Sequence, residues 1–310
     1  MSDETARSQD RAETVALLAL LRTAPRGVTW SDIAGEVLFT GSALTVLEKS
    51  RGSQGALFAD PALDDALARS NVELSEWEAD GLDLVTILSE RYPVRLAEVF
   101  DCPPFLFVRG QLLPEDPGMS IVGSRKASPE GLEMARLAAR LLADRGLSVI
   151  AGLADGIDTA AHREALRIGA RTVAVIGTGI RQYSPASNRA LQDEIATKGL
   201  VVSQFYPDQP PNKTTFPMRN GTMSGYGLAT IVVEADEYSG SRIQARKAAD
   251  HGRRVILSAK VASETDWGRQ MAADPWVRVA GSTASLAEAI DEVLSDSNND
   301  FMRALGLVAV

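Results

Sequence analysis

The chain has 310 residues, 45% apolar and 24% charged, with a formal net charge of −9, which fits an ordinary globular protein large enough for one large core with a smaller attached domain, or for two modest domains. No run of about 18 apolar residues exists, so no membrane span is expected, and the polar N-terminus MSDETARSQDRAE is unlike a secretory leader. A single cysteine, Cys102, excludes an internal disulfide and fits a reducing cytoplasm; with only His162 and His251 besides, neither a metal site nor a cofactor is expected.

In chain order, residues 11–80 read as short helices, with RAETVALLALLRTA carrying apolar residues at helical spacing. Two strand-like runs follow, Leu84–Leu88 and Phe105–Val108, separated by proline punctuation. From Met119 a regular alternation begins. The strand SIVGS precedes a helix over about Ser128–Arg145, LSVIAGLA precedes GIDTAAHREALRIG, and RTVAVIGTG precedes NRALQDEIATKG. LVVSQF then leads through the loop KTTFPMRNG to a helix near Gly221, LATIVVEA leads to SGSRIQARKAADHG, and RRVILSA closes the series. A last strand and helix are expected in DPWVRVAGSTASLAEAIDEVL, followed by a disordered SDSNND. Strands alternating with helices predict an α/β fold with a doubly wound, mainly parallel sheet of roughly six strands, preceded by a small helical domain.

The charge is uneven. Residues 1–120 carry −10, residues 121–260 carry +6 (19 Lys and Arg against 13 Asp and Glu), and residues 261–310 carry −5. A basic segment inside an acidic chain points to an anionic partner. In a doubly wound sheet the ligand lies at the carboxyl ends of the strands. Here the strand-end loops carry glycine and small hydroxyls: Gly123-Ser124 with Arg125 and Lys126, GLADGID at 152–158, Gly177-Thr178-Gly179, and Ser239-Gly240-Ser241. Glycine allows close backbone approach, and free helix N–H groups attract anions. Each loop alone reads as a tight turn, whereas four together in the basic segment read as a phosphate-binding floor. The spacing is neither the dinucleotide fingerprint nor a Walker A loop. Arginine clamps phosphate bidentately and lysine acts as a point charge. Lys213 is a further phosphate candidate, and Phe216 is either a stacking platform for a base or core packing before Pro217. Glu234, ending an apolar strand, is open between a catalytic carboxylate, a ribose ligand and a structural acceptor. Asp158 is expected to cap backbone N–H groups and to pair with His162 four residues on. No catalytic residue is assigned.

These motifs in this order resemble the DprA/Smf family, DNA-processing protein A. The resemblance rests on SIVGSRKASPEGLEMARLAARLLADRGLSVIAGLADGIDTAAHREAL, AVIGTG, YSPASNRAL, VVSQFYPDQPP, FPMRNG and IVVEADEYSGS, with RYPVRLAEVFDCPPFLFVRG as lead-in, over about residues 82–260. It implies an extended Rossmann-like DNA-binding domain over 81–295, a helical domain over 1–80 and a tail over 296–310. It also implies single-stranded DNA as ligand, a homodimer in the cytoplasm, and assistance in loading the RecA recombinase during recombination and natural transformation. Gly123, Ser124 and Arg125 match the family's phosphate-binding triplet; Lys213 and Phe216 match its lysine and aromatic; Arg219 and Asn220 match the following pair. Four features depart from the pattern: Gly221 replaces a second arginine, Gln204 a glutamate, Asp155 a basic or neutral residue, and ILSAKVAS lacks the Pro-Gly after the strand. No winged helix is expected at the C-terminus. The alternative is a nucleotide-sensing or nucleotide-hydrolysing protein related to the lonely-guy phosphoribohydrolases, whose Pro-Gly-Gly-x-Gly-Thr loop is missing from EYSGSRIQA.

Overall fold

A computed structural model describes residues 3–53 and 61–304. The chain forms two compact units, residues 1–92 with 100–108, and residues 93–99 with 109–310. In the first unit lie α1 (Asp3–Arg22), α2 (Trp30–Thr40), α3 (Ala43–Ser53) and α4 (Pro61–Ala79). A reciprocal cap between Thr29 and Asp32 opens α2, and Gly41, at φ 72, closes it in the left-handed region. This unit also holds β1 (Asp83–Thr86), antiparallel to β2 (Phe105–Gly110), and Trp77 meets Phe107 edge-on at 5.0 Å.

The second unit begins with the short helix α5 (Val94–Ala97). Then come β3 (Gly118–Gly123), α6 (Pro129–Ala143), β4 (Ser148–Ala151), α7 (Ile157–Arg167), β5 (Thr172–Val175), α8 (Arg189–Lys198) and β6 (Leu200–Ser203). After these follow α9 (Thr215–Tyr226), β7 (Ala229–Glu234), α10 (Gly240–Asp250), β8 (Arg254–Ser258), α11 (Ala259–Glu264), α12 (Asp266–Met271), β9 (Val277–Ala280) and α13 (Thr283–Ala304). The spatial order is β6-β5-β4-β3-β7-β8-β9, and the registers from β3 outward are parallel on both sides. The expected six strands are β3 to β8, and β9 with α13 is the expected last pair. Strands β4, β5 and β6 are wholly buried, as continuous apolar runs require when helices cover both faces. One face is sealed by Ala135, Ala139 and Leu142 of α6, Ala161 of α7 and Ile290 of α13, packed on Met119, Ile121 and Ile231.

Two local expectations are overturned. SDSNND is not disordered: α13 runs through it, and within it Asp296 pairs with Arg254. The stretch KTTFPMRNG is mostly helix, not loop, because α9 starts at Thr215. Asn212 Oδ1 accepts from the N–H groups of Thr214 and Thr215, each at 2.8 Å, and so opens the helix early. Residues 305–310 of the expected tail lie outside the described residues.

Candidate functional site

The strand order reverses between β3 and β7, and there a cavity of about 420 Å3 opens at their carboxyl ends. The two strands lose register between Val122 and Gly123, and Ser124 N–H donates to the Glu234 carbonyl at 2.7 Å. Gly123 is required at this closure: a Cβ there falls 2.5 Å from Ile157 Cγ1 and 2.8 Å from the Glu234 carbonyl oxygen. Beyond it, Ser128 caps α6 by accepting from Gly131 N–H at 3.1 Å.

Glu234 is a structural acceptor. Its carboxylate receives Ser128 N–H at 2.9 Å, the Ser128 hydroxyl, and Lys260 Nζ at 3.0 Å. Burial works to raise its pKa, but the bonds from Ser128 and Lys260 outweigh it and hold the carboxyl below its usual range. With its lone pairs occupied, Glu234 stabilises the start of α6 rather than facing a ligand.

The first loop is in place. Gly123, Ser124, Arg125 and Lys126 all line the cavity; both cations are exposed, and among the described residues neither meets a carboxylate within 4.0 Å. Ser239, Gly240 and Ser241 line the opposite side, where Ser239 Oγ accepts from Ser241 N–H at 3.1 Å and caps α10. The 11-residue α10 thus points its N-terminus at the cavity, a polarity that favours anions. Phe216, in the first turn of α9, is half-buried and lines the wall, with the Arg125 guanidinium 5.6 Å from its ring centroid.

Arg219 and Asn220 line the cavity but are already engaged. Arg219 Nη1 donates to the carbonyls of Gly152 and, at 2.9 Å, Val175, while Nε donates to Asn220 Oδ1 at 3.1 Å. The arginine therefore ties α9 to the ends of β4 and β5. Gly152 makes room for it, since a Cβ at that position lies 1.7 Å from Nη1. Asp158 accepts from Gly152 N–H at 3.0 Å and Ala154 N–H at 3.3 Å, so it orders the loop before its own helix. Burial pushes the Asp158 carboxyl upward, against the pull of Arg219 and of those two donors, and pushes Arg219 downward.

The expected pairing of His162 with Asp158 is not formed. His162 Nδ1 lies 2.7 Å from Thr172 Oγ1 on β5, and that hydroxyl spends its proton on the Val149 carbonyl. The ring must then donate through Nδ1 and is neutral; burial pushes its pKa down to about 3. Gly177, Thr178 and Gly179 stay outside the cavity lining, and Lys213 does too, exposed to solvent. The glycines of the third loop serve packing: a Cβ at Gly177 falls 2.7 Å from Phe216 Cδ1, and one at Gly179 falls 2.2 Å from the Tyr206 and Pro207 carbonyl oxygens.

Two polar lining residues, Tyr238 and Asp236, escaped the sequence reading as site candidates. Tyr238 is 94% exposed at the rim, on a loop pinned where Trp267 Nε1 donates to the Asp236 carbonyl at 3.1 Å. Asp236 adds a carboxylate. Gln244 is buried in the wall, its Nε2 3.4 Å from Thr230 Oγ1, and its Oε1 has no partner among the described residues. That oxygen is an unfilled acceptor for a ligand N–H or O–H. Of the departures, Gln204 accepts from the Thr222 hydroxyl, Asp155 accepts from Ser187 Oγ at 3.1 Å, and Gly221 is buried within α9. The altered segment after β8 supplies Lys260, the partner of Glu234.

Among the described residues no helix is long and apolar enough to cross a membrane, and no cluster of three or more His, Cys, Asp or Glu side chains is placed to hold a metal ion. A family model described as DNA recombination-mediator protein A matches residues 83–297. The chain belongs to this family. It is 42% identical over 172 residues to DNA processing protein DprA of Streptococcus pneumoniae, covering 55% of this chain and 61% of that protein. With DNA processing protein DprA of Bacillus subtilis it is 33% identical over 185 residues, 59% of this chain and 62% of the other. The matched region thus spans about six tenths of these curated relatives. The X-ray structure of the S. pneumoniae protein superposes with a TM-score of 0.65 at 25% identity, covering 92% of this chain and 97% of that one. The DNA processing protein A of Helicobacter pylori, solved for its single-stranded DNA binding mode, shares the fold with a TM-score of 0.59 at 24% identity over 68% of this chain and 96% of that one.

Proposed function

We propose that the switch-point cavity binds single-stranded DNA, and that the protein acts without turnover as a recombination accessory factor. The observation that carries this is the pair of unpaired cations Arg125 and Lys126 facing the N-terminus of α10 across a cavity walled by Phe216. A phosphate fits between the cations and the helix end, and a base fits the aromatic wall with Gln244 Oε1 as acceptor for its N–H. Lys213, exposed in the segment just before α9, extends the cationic track along the strand. Membership of the recombination-mediator family supports the reading, and the fold shared with the H. pylori single-stranded DNA binder accommodates it. In this reading the protein works as a homodimer in the cytoplasm and passes the strand to RecA.

A smaller nucleotide is the second reading, favoured by Asp158 and Asp236, which place two carboxylates in the lining and suit a neutral sugar or base more than a run of phosphates. Hydrolysis is disfavoured by Gln244, an amide in the cavity wall that neither takes up nor releases a proton near neutral pH.

Binding of a labelled oligonucleotide measured across a salt series tests the proposal. For single strands, log K falls by about 0.7 per log salt for each phosphate neutralised, so Arg125, Lys126 and Lys213 together give a slope of about −2. A slope of zero, or stabilisation by mononucleotides with no binding of oligonucleotides, contradicts it.

A further inference from the structure

The second large cavity, about 570 Å3, opens at the opposite edge of the parallel sheet, where β3, β7 and β8 begin. Three arginines line it: Arg95 of α5, Arg253 and Arg254. Arg254 pairs with Asp296, and Arg253 Nη2 donates at 2.9 Å both to the Glu98 carboxylate and to the Arg95 carbonyl. The wall carboxylate Asp116 is held by Arg171 at 2.7 Å and by the Tyr226 hydroxyl at 2.8 Å.

Arg95 differs from its neighbours. Its guanidinium reaches Ser297 Oγ at 3.4 Å, the long limit of a hydrogen bond, and meets no carboxylate within 4.0 Å among the described residues. Burial, and then the like charge of Arg253, lower its pKa below the ordinary guanidinium value, against the opposing pull of the Glu98 and Glu115 carboxylates in the same lining. A half-buried guanidinium short of a close acceptor is stabilised by an anion placed beside it. Beside them Trp276 is 58% exposed, with Arg254 Cζ 4.0 Å from its ring centroid. The cation backs the indole, and the exposed remainder is a platform for a flat ring.

We propose that this cleft binds a nucleoside monophosphate, with the phosphate held by Arg95 and the base lying on Trp276. The cleft falls within the range of about 300–1,000 Å3 typical of small-molecule sites. It lies at the end of the sheet opposite the switch-point cavity, so the proposal stands independently of strand binding there. A free nucleotide and the 5′-phosphorylated end of a strand offer the same chemistry.

Isothermal titration calorimetry with dAMP, inorganic phosphate and a short 5′-phosphorylated oligonucleotide tests it. In the Arg125→Ala background, which weakens the switch-point cavity, Arg95→Gln is expected to bind dAMP about tenfold or more weakly than Arg125→Ala alone, the loss expected for a charge-assisted phosphate contact. Arg95→Gln keeps the backbone carbonyl that holds Arg253, and equal urea midpoints confirm that its fold is intact. Trp276→Ala is expected to reduce dAMP affinity to that of inorganic phosphate. Oligonucleotide affinity that depends on neither its 5′-phosphate nor Arg95 identifies the free nucleotide as the ligand of this cleft; affinity that falls both on removing the 5′-phosphate and in Arg95→Gln identifies a strand end as an equally good one. No heat with dAMP, or an affinity in the Arg125→Ala background that Arg95→Gln leaves unchanged, overturns the proposal.

Discussion

Replacing Arg219 by methionine keeps most of the side-chain length and removes the guanidinium that joins α9 to two strand ends. The carbonyls of Gly152 and Val175 lose their donor from Nη1, and Asn220 Oδ1 loses Nε. Asp158, buried and already destabilised by its burial, loses the cation that draws its carboxyl toward ionisation. Breaking a buried charge arrangement by removing one partner costs about 3–5 kcal/mol, and about 2–4 °C of Tm accompanies each kcal/mol in a domain of this size. The variant should therefore lose about 3–5 kcal/mol in equilibrium urea unfolding and about 6–20 °C in thermal melting. Gly152→Ala attacks the same junction from the other side, because its Cβ overlaps Nη1 at 1.7 Å. The double variant should then be less destabilised than the two singles added together. A loss under about 1 kcal/mol for Arg219→Met, together with loss of oligonucleotide binding, refutes this reasoning and makes Arg219 a phosphate ligand instead.

Three further outcomes follow from the geometry. His162 is neutral in the folded state, with a pKa of about 3 against an ordinary 6.5, so the unfolded chain binds the extra proton between those values. Stability should therefore fall on acidification below about pH 6.5, by up to about 1.4 kcal/mol per pH unit, and His162→Gln should flatten that slope in urea titrations. Tyr238→Ala should weaken binding of an ordinary oligonucleotide and leave an abasic one unaffected, since stacking on an aromatic contributes about 1–3 kcal/mol per base; equal losses for both argue against stacking. Gly177→Ala should push Phe216 from its place, lowering oligonucleotide affinity while leaving the salt slope unchanged; a changed slope places this loop among the phosphate contacts.

The alternation of strands and helices was plain in the sequence because buried parallel strands need unbroken apolar runs, and β4, β5 and β6 supply them. The first loop was equally readable: the strand end, the two glycine-and-serine positions and the two cations are contiguous in sequence and stay together in space. The third loop misled because Gly177 and Gly179 answer to Phe216 and to the turn at 206–207, neighbours that only the folded chain brings near. His162 misled for a similar reason, its partner being Thr172 across the strand rather than a residue one turn away. The start of α9 was hidden behind Pro217, which reads as a breaker but sits in the first turn, where its missing N–H leaves no intrahelical bond unmade. Tyr238 gave no sequence signal, since nothing in its neighbours distinguishes a rim position from an ordinary loop.

The central claim is that Arg125 and Lys213 hold a single strand at the switch-point cavity and its outer edge. Fluorescence anisotropy with a short labelled single-stranded oligonucleotide, at two salt concentrations, tests it most directly on the wild type, Arg125→Ala and Lys213→Ala. The account predicts salt-sensitive binding by the wild type and a weaker complex in each variant, with the salt slope shallower by about 0.7 in each. Wild-type binding that neither substitution alters, or no binding by the wild type at low salt, contradicts it.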